Sequence, residues 1–284
     1  MIEIRHKATG DLLEALDADS LVGADLREMR LRGADMRGLD LTDADLGLSD
    51  LVDADLRGAK LCNANLVGAH LNGANLSGAD LSRARLGADN PSRAAMLSRA
   101  NLAEANLEGA DLRHVEARRT DLQGAILNRA DMRGTDFYGS NMCHIAGRKA
   151  LFIKANLRET NLCGADLRDS HLNDANLVNT SMRDADLSST HPGGFTVINL
   201  ANMQGADLQG ANLRNVSAQD TNMRNANLTD VDFTGAVLGG AILRRANLTN
   251  SDFSGVELAS VTLEFANVSK AHNAAIPAYK KNLR

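Results

Sequence analysis

Along most of the chain, Leu or Met returns at every fifth position, as at Leu46, Leu51, Leu56, Leu61, Leu66, Leu71, Leu76, Leu81 and Leu86. Two residues before most of these stands a small side chain, for example Ala44, Ser49, Ala54, Ala59 and Ala64. With the Leu position called i, the small residue is i−2. Asp or Asn often fills i−1, as in Ala24-Asp25-Leu26 and Ala74-Asn75-Leu76, while i+1 and i+2 are polar. A period of five fits neither one face of an α-helix nor a flat strand, whose periods are about 3.6 and 2. Two inward side chains per repeat require a chain that turns a corner at each repeat. Four such sides close a square coil of about twenty residues, whose N–H and C=O groups pair with the next coil about 4.8 Å away. The small residue lets the walls approach, and the Leu fills what remains of the interior.

This A(D/N)LXX pattern resembles the pentapeptide-repeat family, from Leu21 to Val268. The resemblance implies an all-β fold, a right-handed quadrilateral parallel β-helix. It also implies that the partner of most members is unassigned. The best-understood members are DNA mimics that bind a type II topoisomerase such as gyrase, protect it from a toxin or quinolone, and dimerise through their C-terminal coils.

The i positions run in three phases: Leu21–Leu86 with 14 repeats, Leu97–Leu187 with 19 and Ile198–Val268 with 15. The interruptions are residues 87–93, containing Asn90 and Pro91, and residues 191–195, containing Pro192 and Phe195; both hold turn residues. Counting each interruption as one side gives 48 regular and 2 loop sides. These close about 12 coils, a rod of about 60 Å at the spacing above. That count puts both interruptions on one face, together with Phe152, Phe233 and Phe253 at position i. Two readings follow: tolerated bulges on a solenoid, or a paired contact surface. Three sides exchange volume between their inward positions, Val115 with Ala117, Ile145 with Gly147 and Val216 with Ala218, as close packing requires.

The ends depart from the repeat. Residues 1–20 read as a β-hairpin cap, with Ile2 and Ile4 on one arm and Leu12, Leu13 and Leu16 on the other. Residues 21–268 form the β-helix, and 269–284 a tail with a possible short helix from Pro277, where Ile276 and Tyr279 cover the last coil. Phe265 sits at an outward i+2 position near this end. It is a candidate dimer contact, with simple capping by the tail an equal reading.

Composition follows from the repeat: 44% hydrophobic but 3% aromatic, with no Trp, as a narrow tube demands. The net charge of −5 conceals a gradient. Residues 11–55 carry 13 acidic and 4 basic side chains, including Asp40, Asp43, Asp45, Asp50, Asp53 and Asp55. Residues 113–158 carry 9 basic and 4 acidic ones, including Arg118, Arg119, Arg129, Arg133, Arg148 and Lys149. Either charge fluctuates along a solvated rod, or an acidic end meets a basic partner. A basic middle makes a poor duplex mimic, and the two interruptions are shorter than the partner-contacting loops of the quinolone-resistance members.

The search for chemistry yields little. His6, His70, His114, His144, His171, His191 and His272 are scattered over the coils. No phosphate-cradling loop, metal motif or nucleophile turn is present in the sequence, so no catalytic residue, cofactor or metal is expected. Cys143 and Cys163, twenty residues apart, fall within stacking distance, with free thiols expected in a reducing cytoplasm. Asn101, Asn141, Asn161, Asn202 and Asn222 are expected on one face as a structural ladder. The expected protein is cytoplasmic and non-catalytic, without direct nucleic-acid or membrane binding. It acts by binding another, unidentified protein. The alternative is a DNA mimic acting on a type II topoisomerase, and a homodimer through the C-terminal end is possible. The candidate interaction residues are the six aspartates, Asn90, Pro91, Pro192 and Phe265.

Overall fold

A computed structural model describes residues 1–190 and 196–278. Pro192 and Phe195, and Tyr279 with the rest of the expected tail helix beyond residue 278, lie outside the described residues. The chain divides into two compact units, Met1–Asn141 and Met142–Arg284.

In both units the five-residue pattern builds coils stacked through parallel bridges between i−1 residues. In the first unit Asp25 pairs with Asp45 and Asp45 with Asn65; in the second Asn176 pairs with Asn202 and Asn202 with Asn222. Most N–H groups of a repeat are met along the stack, as residues 24–28 illustrate. Ala24 donates to Leu21 O within its own turn (3.1 Å), while Leu26 and Glu28 donate to Asp45 O and Gly47 O of the next coil (2.7 and 3.0 Å). One coil on, Asp45, the equivalent of Asp25, donates backwards to Ala24 O (2.9 Å). The remaining donor, the i+1 amide of Arg27, is met by the Asp25 side chain at 3.2 Å. Asp and Asn stand at i−1 because a short side chain there caps an amide that no coil reaches.

The inward positions are dry. Leu26, Leu31, Leu46, Leu157 and Leu208 have no exposed surface. Where Ser or Thr replaces Ala at i−2, its hydroxyl donates to a core carbonyl, as Thr180 does to Leu157 O (2.6 Å) and Ser49 to Leu46 O (2.6 Å). The three volume exchanges hold: Val115, Ala117, Ile145, Val216 and Ala218 are all buried. At Gly147 an added Cβ would already touch Leu167, 3.0 Å away.

The count of sides is corrected by the bridges. His70 pairs with Met96 and His171 with Val197, twenty-six residues on instead of twenty. Each interruption is therefore an insertion at a corner and adds no side of its own. At the first, Ala95 donates to Leu86 O (2.8 Å), closing the turn as if the residues between them were absent. Face assignments carried past an interruption shift by one side. Within the second unit Phe152 follows Leu151 on the Leu151–His171–Val197 side, whereas Phe233 and Phe253 follow Asp232 and Asp252 on another. The latter two rings stack, with centroids 5.2 Å apart. Likewise Asn161 bridges to Ser181 while Asn202 bridges to Asn222 on a different side, so the asparagines form several short ladders instead of one. Asn222 donates to Asn202 at 3.0 Å and Asn141 to Asp121 at 3.0 Å.

At the N-terminus, strands β1 (Ile2–His6) and β2 (Leu12–Leu16) form an antiparallel hairpin. β1 also pairs antiparallel with β3 (Ala34–Asp35), a segment of the early coils. Ile4 is wholly buried beneath this hairpin, and the Lys7 ammonium reaches the Asp53 carbonyl oxygen. At the other end the last bridge joins Asp252 to His272.

Candidate interaction surfaces

Outward chemistry is confined to the tips of i−1 and to the two corner residues, i+1 and i+2. The i+2 residue adopts positive φ in nearly every turn, from Glu28 (59°) to Lys270 (57°). Glycine takes many of these positions, and neighbours exploit the missing side chain. The His114 imidazole, for example, lies directly over Gly134, where a Cβ would collide with it.

The six candidate aspartates are close in sequence and dispersed in space. Asp40, Asp45, Asp50 and Asp55 belong to four successive sides, so they encircle the first unit. Asp43 and Asp53 are at positive-φ corners. Most are also engaged. Asp40 accepts from Thr42 Oγ1 (2.7 Å) and pairs with Lys60 (3.3 Å). Asp45 accepts from Gly47 N (2.9 Å) and Asn65 (2.8 Å), and Asp43 from Asn63 (3.0 Å). Asp50 pairs with Arg32 at 3.3 Å. Asp55, only 7% exposed, is held by Arg57 through Nε (2.8 Å) and a second guanidinium nitrogen (2.7 Å), with Arg37 at 3.8 Å. These hydrogen bonds from Arg57 keep its carboxyl below the usual carboxylate range. Asp25, bonded to Arg27, is lowered to about 2. Of the two readings of the charge count, the acidic end is not bare: Asp25, Asp35, Asp50 and Asp55 pair with arginine and Asp40 with Lys60.

In the first interruption, Asn90 caps a short 3-10 turn, Pro91–Arg93, by accepting from Ser92 N (3.0 Å) and Ser92 Oγ (2.9 Å). Asn90 and Pro91 thereby shape the loop, and Arg113 anchors it through Asp89. Gly87 is required at its root, because a Cβ would collide with the Arg113 amide. Near the C-terminus Phe265 is 55% exposed, and the Arg244 and Arg245 guanidiniums lie 5.7 and 5.8 Å from its ring centre.

Cys62 and Cys163 are free thiols. Burial, aided by the neighbouring Cys163, raises the Cys143 pKa, which makes it a poor nucleophile. Among the described residues no three His, Cys, Asp or Glu side chains are grouped to hold a metal, and no helix is long and apolar enough to cross a membrane.

One surface was not found from sequence. A shallow groove in the first unit is lined by Arg99, Arg118, Arg119, Tyr138, Asn72 and Glu116. These residues come from stacked corners: Gly73 N donates to Ser98 O (3.1 Å), Arg99 N to Arg118 O (2.9 Å) and Arg119 N to Tyr138 O (2.9 Å). Arg118 is paired with Asp136 at 2.6 Å. Arg99 and Arg119 are exposed, and among the described residues no carboxylate lies within ion-pair distance of either. Reading i+2 positions at the twenty-residue period would have paired these two arginines; the insertion at 87–93 conceals only that Asn72 shares their column.

The family model described as "Pentapeptide repeats" matches eight times, over residues 20–47, 49–87, 95–134, 118–144, 150–189, 201–240, 226–264 and 236–272. No curated protein matches the chain. Among solved structures, HetL, a pentapeptide repeat protein involved in heterocyst differentiation regulation in the cyanobacterium Nostoc sp. strain PCC 7120, is 27% identical; the match covers 78% of this chain and 86% of HetL, with a TM-score of 0.30. QnrB1, a plasmid-mediated fluoroquinolone resistance protein, is 18% identical over 84% of this chain and 90% of its own, with a TM-score of 0.40. Rfr23, from the cyanobacterium Cyanothece 51142, is 21% identical over 72% and 90%, with a TM-score of 0.14.

Proposed function

The chain belongs to the pentapeptide-repeat family, and from that premise we propose that it is a non-catalytic protein-interaction or scaffold protein. One observation carries this reading. The repeats spend their inward side chains on the core, and where Asp or Asn stands at i−1 its side chain is spent on a backbone amide, leaving a regular array of corner residues as the surface on offer. Such an array suits recognition of another macromolecule's surface better than chemistry on a small molecule, which needs convergent groups in an enclosed site. A tagged chain incubated in native cytosol, treated with nuclease and washed, is expected to retain one protein in stoichiometric amount. Retention of no protein, or turnover of a small molecule that tracks with the purified chain, would defeat the proposal.

The second reading is a duplex mimic that acts on a type II topoisomerase. The fluoroquinolone resistance protein QnrB1 motivates it, but carboxylates paired with arginine on three sides of the coil, at Asp25, Asp50 and Asp55, weigh against it. It predicts that the chain preserves gyrase supercoiling in the presence of a quinolone. A homodimer through Phe265 belongs with this reading and predicts that Phe265→Ala converts the dimer to a monomer in sedimentation.

A further inference from the structure

We propose that the Arg99–Arg119 groove is the docking surface for a short acidic segment of a partner protein. The inference rests on the interaction reading above and gives it a location and a chemistry.

Three observations support it. First, Arg99 and Arg119 occupy the same corner of adjacent coils, linked through the Arg99 N to Arg118 O bond, so their backbones lie about one coil spacing, roughly 4.8 Å, apart. Both are exposed and, among the described residues, neither has a carboxylate partner. That sets them apart from Arg27, Arg37, Arg57, Arg113, Arg133 and Arg168, each engaged by an aspartate two residues before it. The difference has a local cause. The arginine of each engaged pair is at i+1, where it reaches back to its own i−1 carboxylate, whereas Arg99 and Arg119 project from i+2 at positive φ (63° and 55°). Second, the groove holds groups that favour a peptide over a simple ion: Tyr138 lines it with the cations, and the Asn72 amide can donate and accept hydrogen bonds.

Third, one end of the groove limits its occupant. One coil below Asn72 the same corner carries Val52 and Asp53, and the side below it carries Asp50. Glu116 also lies on the wall. A long polyanion such as duplex nucleic acid would run onto these carboxylates, but a segment of a few residues would not. In an extended peptide, alternate side chains on one face are about 6.6–6.8 Å apart, a spacing that flexible arginines one coil apart can meet.

The test uses the full chain and a fluorescein-labelled hexaglutamate peptide, with hexaglutamine and a 12-base-pair DNA duplex as comparisons. Fluorescence anisotropy is expected to show saturable binding of hexaglutamate only, weakening several-fold as salt rises from about 0.05 to 0.3 M. The double variant Arg99→Glu/Arg119→Glu is expected to weaken binding more than tenfold. The charge-matched control Arg83→Glu/Arg129→Glu, at another i+2 corner, should change it less than threefold. Circular dichroism confirms that each variant is folded. Absence of hexaglutamate binding, equal loss in the control, or tighter binding of the duplex overturns the assignment. If a protein captured from cytosol is still retained by Arg99→Glu/Arg119→Glu, the groove is wrong and the interaction reading stands; if the parent chain retains nothing, the interaction reading itself falls.

Discussion

The i−1 side chain links the repeat pattern to the fold, and Asp55 shows the link most fully. Its Oδ1 accepts from the Arg57 amide (3.3 Å) and from Arg57 Nε (2.8 Å), so one residue caps the corner and fixes the cation. Asp55→Ala strands both donors and is expected to cost about 1–3 kcal/mol, read as a lowered midpoint of urea unfolding. Asp55→Asn keeps an amide oxygen for the backbone donor and should cost clearly less; equal losses would show that capping is not what Asp55 does. This role was legible in the sequence, because Asp or Asn directly before Leu recurs where only a short acceptor reaches the next turn. Which carboxylates remain open was not legible. Adjacent repeats such as those of Asp40, Asp45, Asp50 and Asp55 face four directions, so a charge count along the chain adds groups that never share a surface. The value of glycine at i+2, visible beneath His114 at Gly134, was also in the sequence and went unused.

Among the elements, the hairpin arms were readable from Ile2, Ile4, Leu12 and Leu16, but the second pairing, of β1 with Ala34–Asp35, was not. Antiparallel addition to a coil depends on which backbone groups the first coils leave open, and the side-chain pattern is silent on that. The phase breaks of the repeat are visible in the sequence, but the geometry of the insertions is not. Residue spacing cannot distinguish a loop that spans a side from one that bulges from a corner; the Ala95 to Leu86 bond decides it. The corner reading makes a sharp prediction. Removing residues 88–93 joins Gly87 to Ala94 and restores a five-residue side ending in Ala95, Met96 and Leu97. Because Ala94 would then fall at a positive-φ corner, the deletion is paired with Ala94→Gly. The shortened chain is expected to remain folded, with a melting temperature within a few degrees of the parent's. Aggregation or loss of the β signal in circular dichroism would mean that the loop carries a side after all.

For the molecule as a whole, pairing has a consequence for pH. The Asp25, Asp35, Asp40, Asp55 and Asp111 carboxyls are all held below the ordinary 3.8, mainly by hydrogen bonds from Arg27, Arg37, Thr42, Arg57 and Arg113; at Asp111 burial opposes the effect. A carboxylate with a lowered folded pKa stabilises the native state above its unfolded pKa and loses that contribution as pH falls toward the folded value. Thermal stability should therefore be nearly flat from pH 7 to about 5 and decline between about 4 and 2, the lower limit being set by Asp25. A decline centred near pH 6 would instead implicate histidines and contradict this pairing.

The most direct test of the interaction reading is cross-linking mass spectrometry on the complex retained from native cytosol. The prediction is a set of cross-links from one partner protein to corner positions of this chain. They should cluster at nucleophilic residues near the Arg99–Arg119 groove and disappear when both arginines are replaced by glutamate. A purified chain that yields no cross-linked protein partner at any salt concentration would contradict the conclusion that its surface exists to bind another protein.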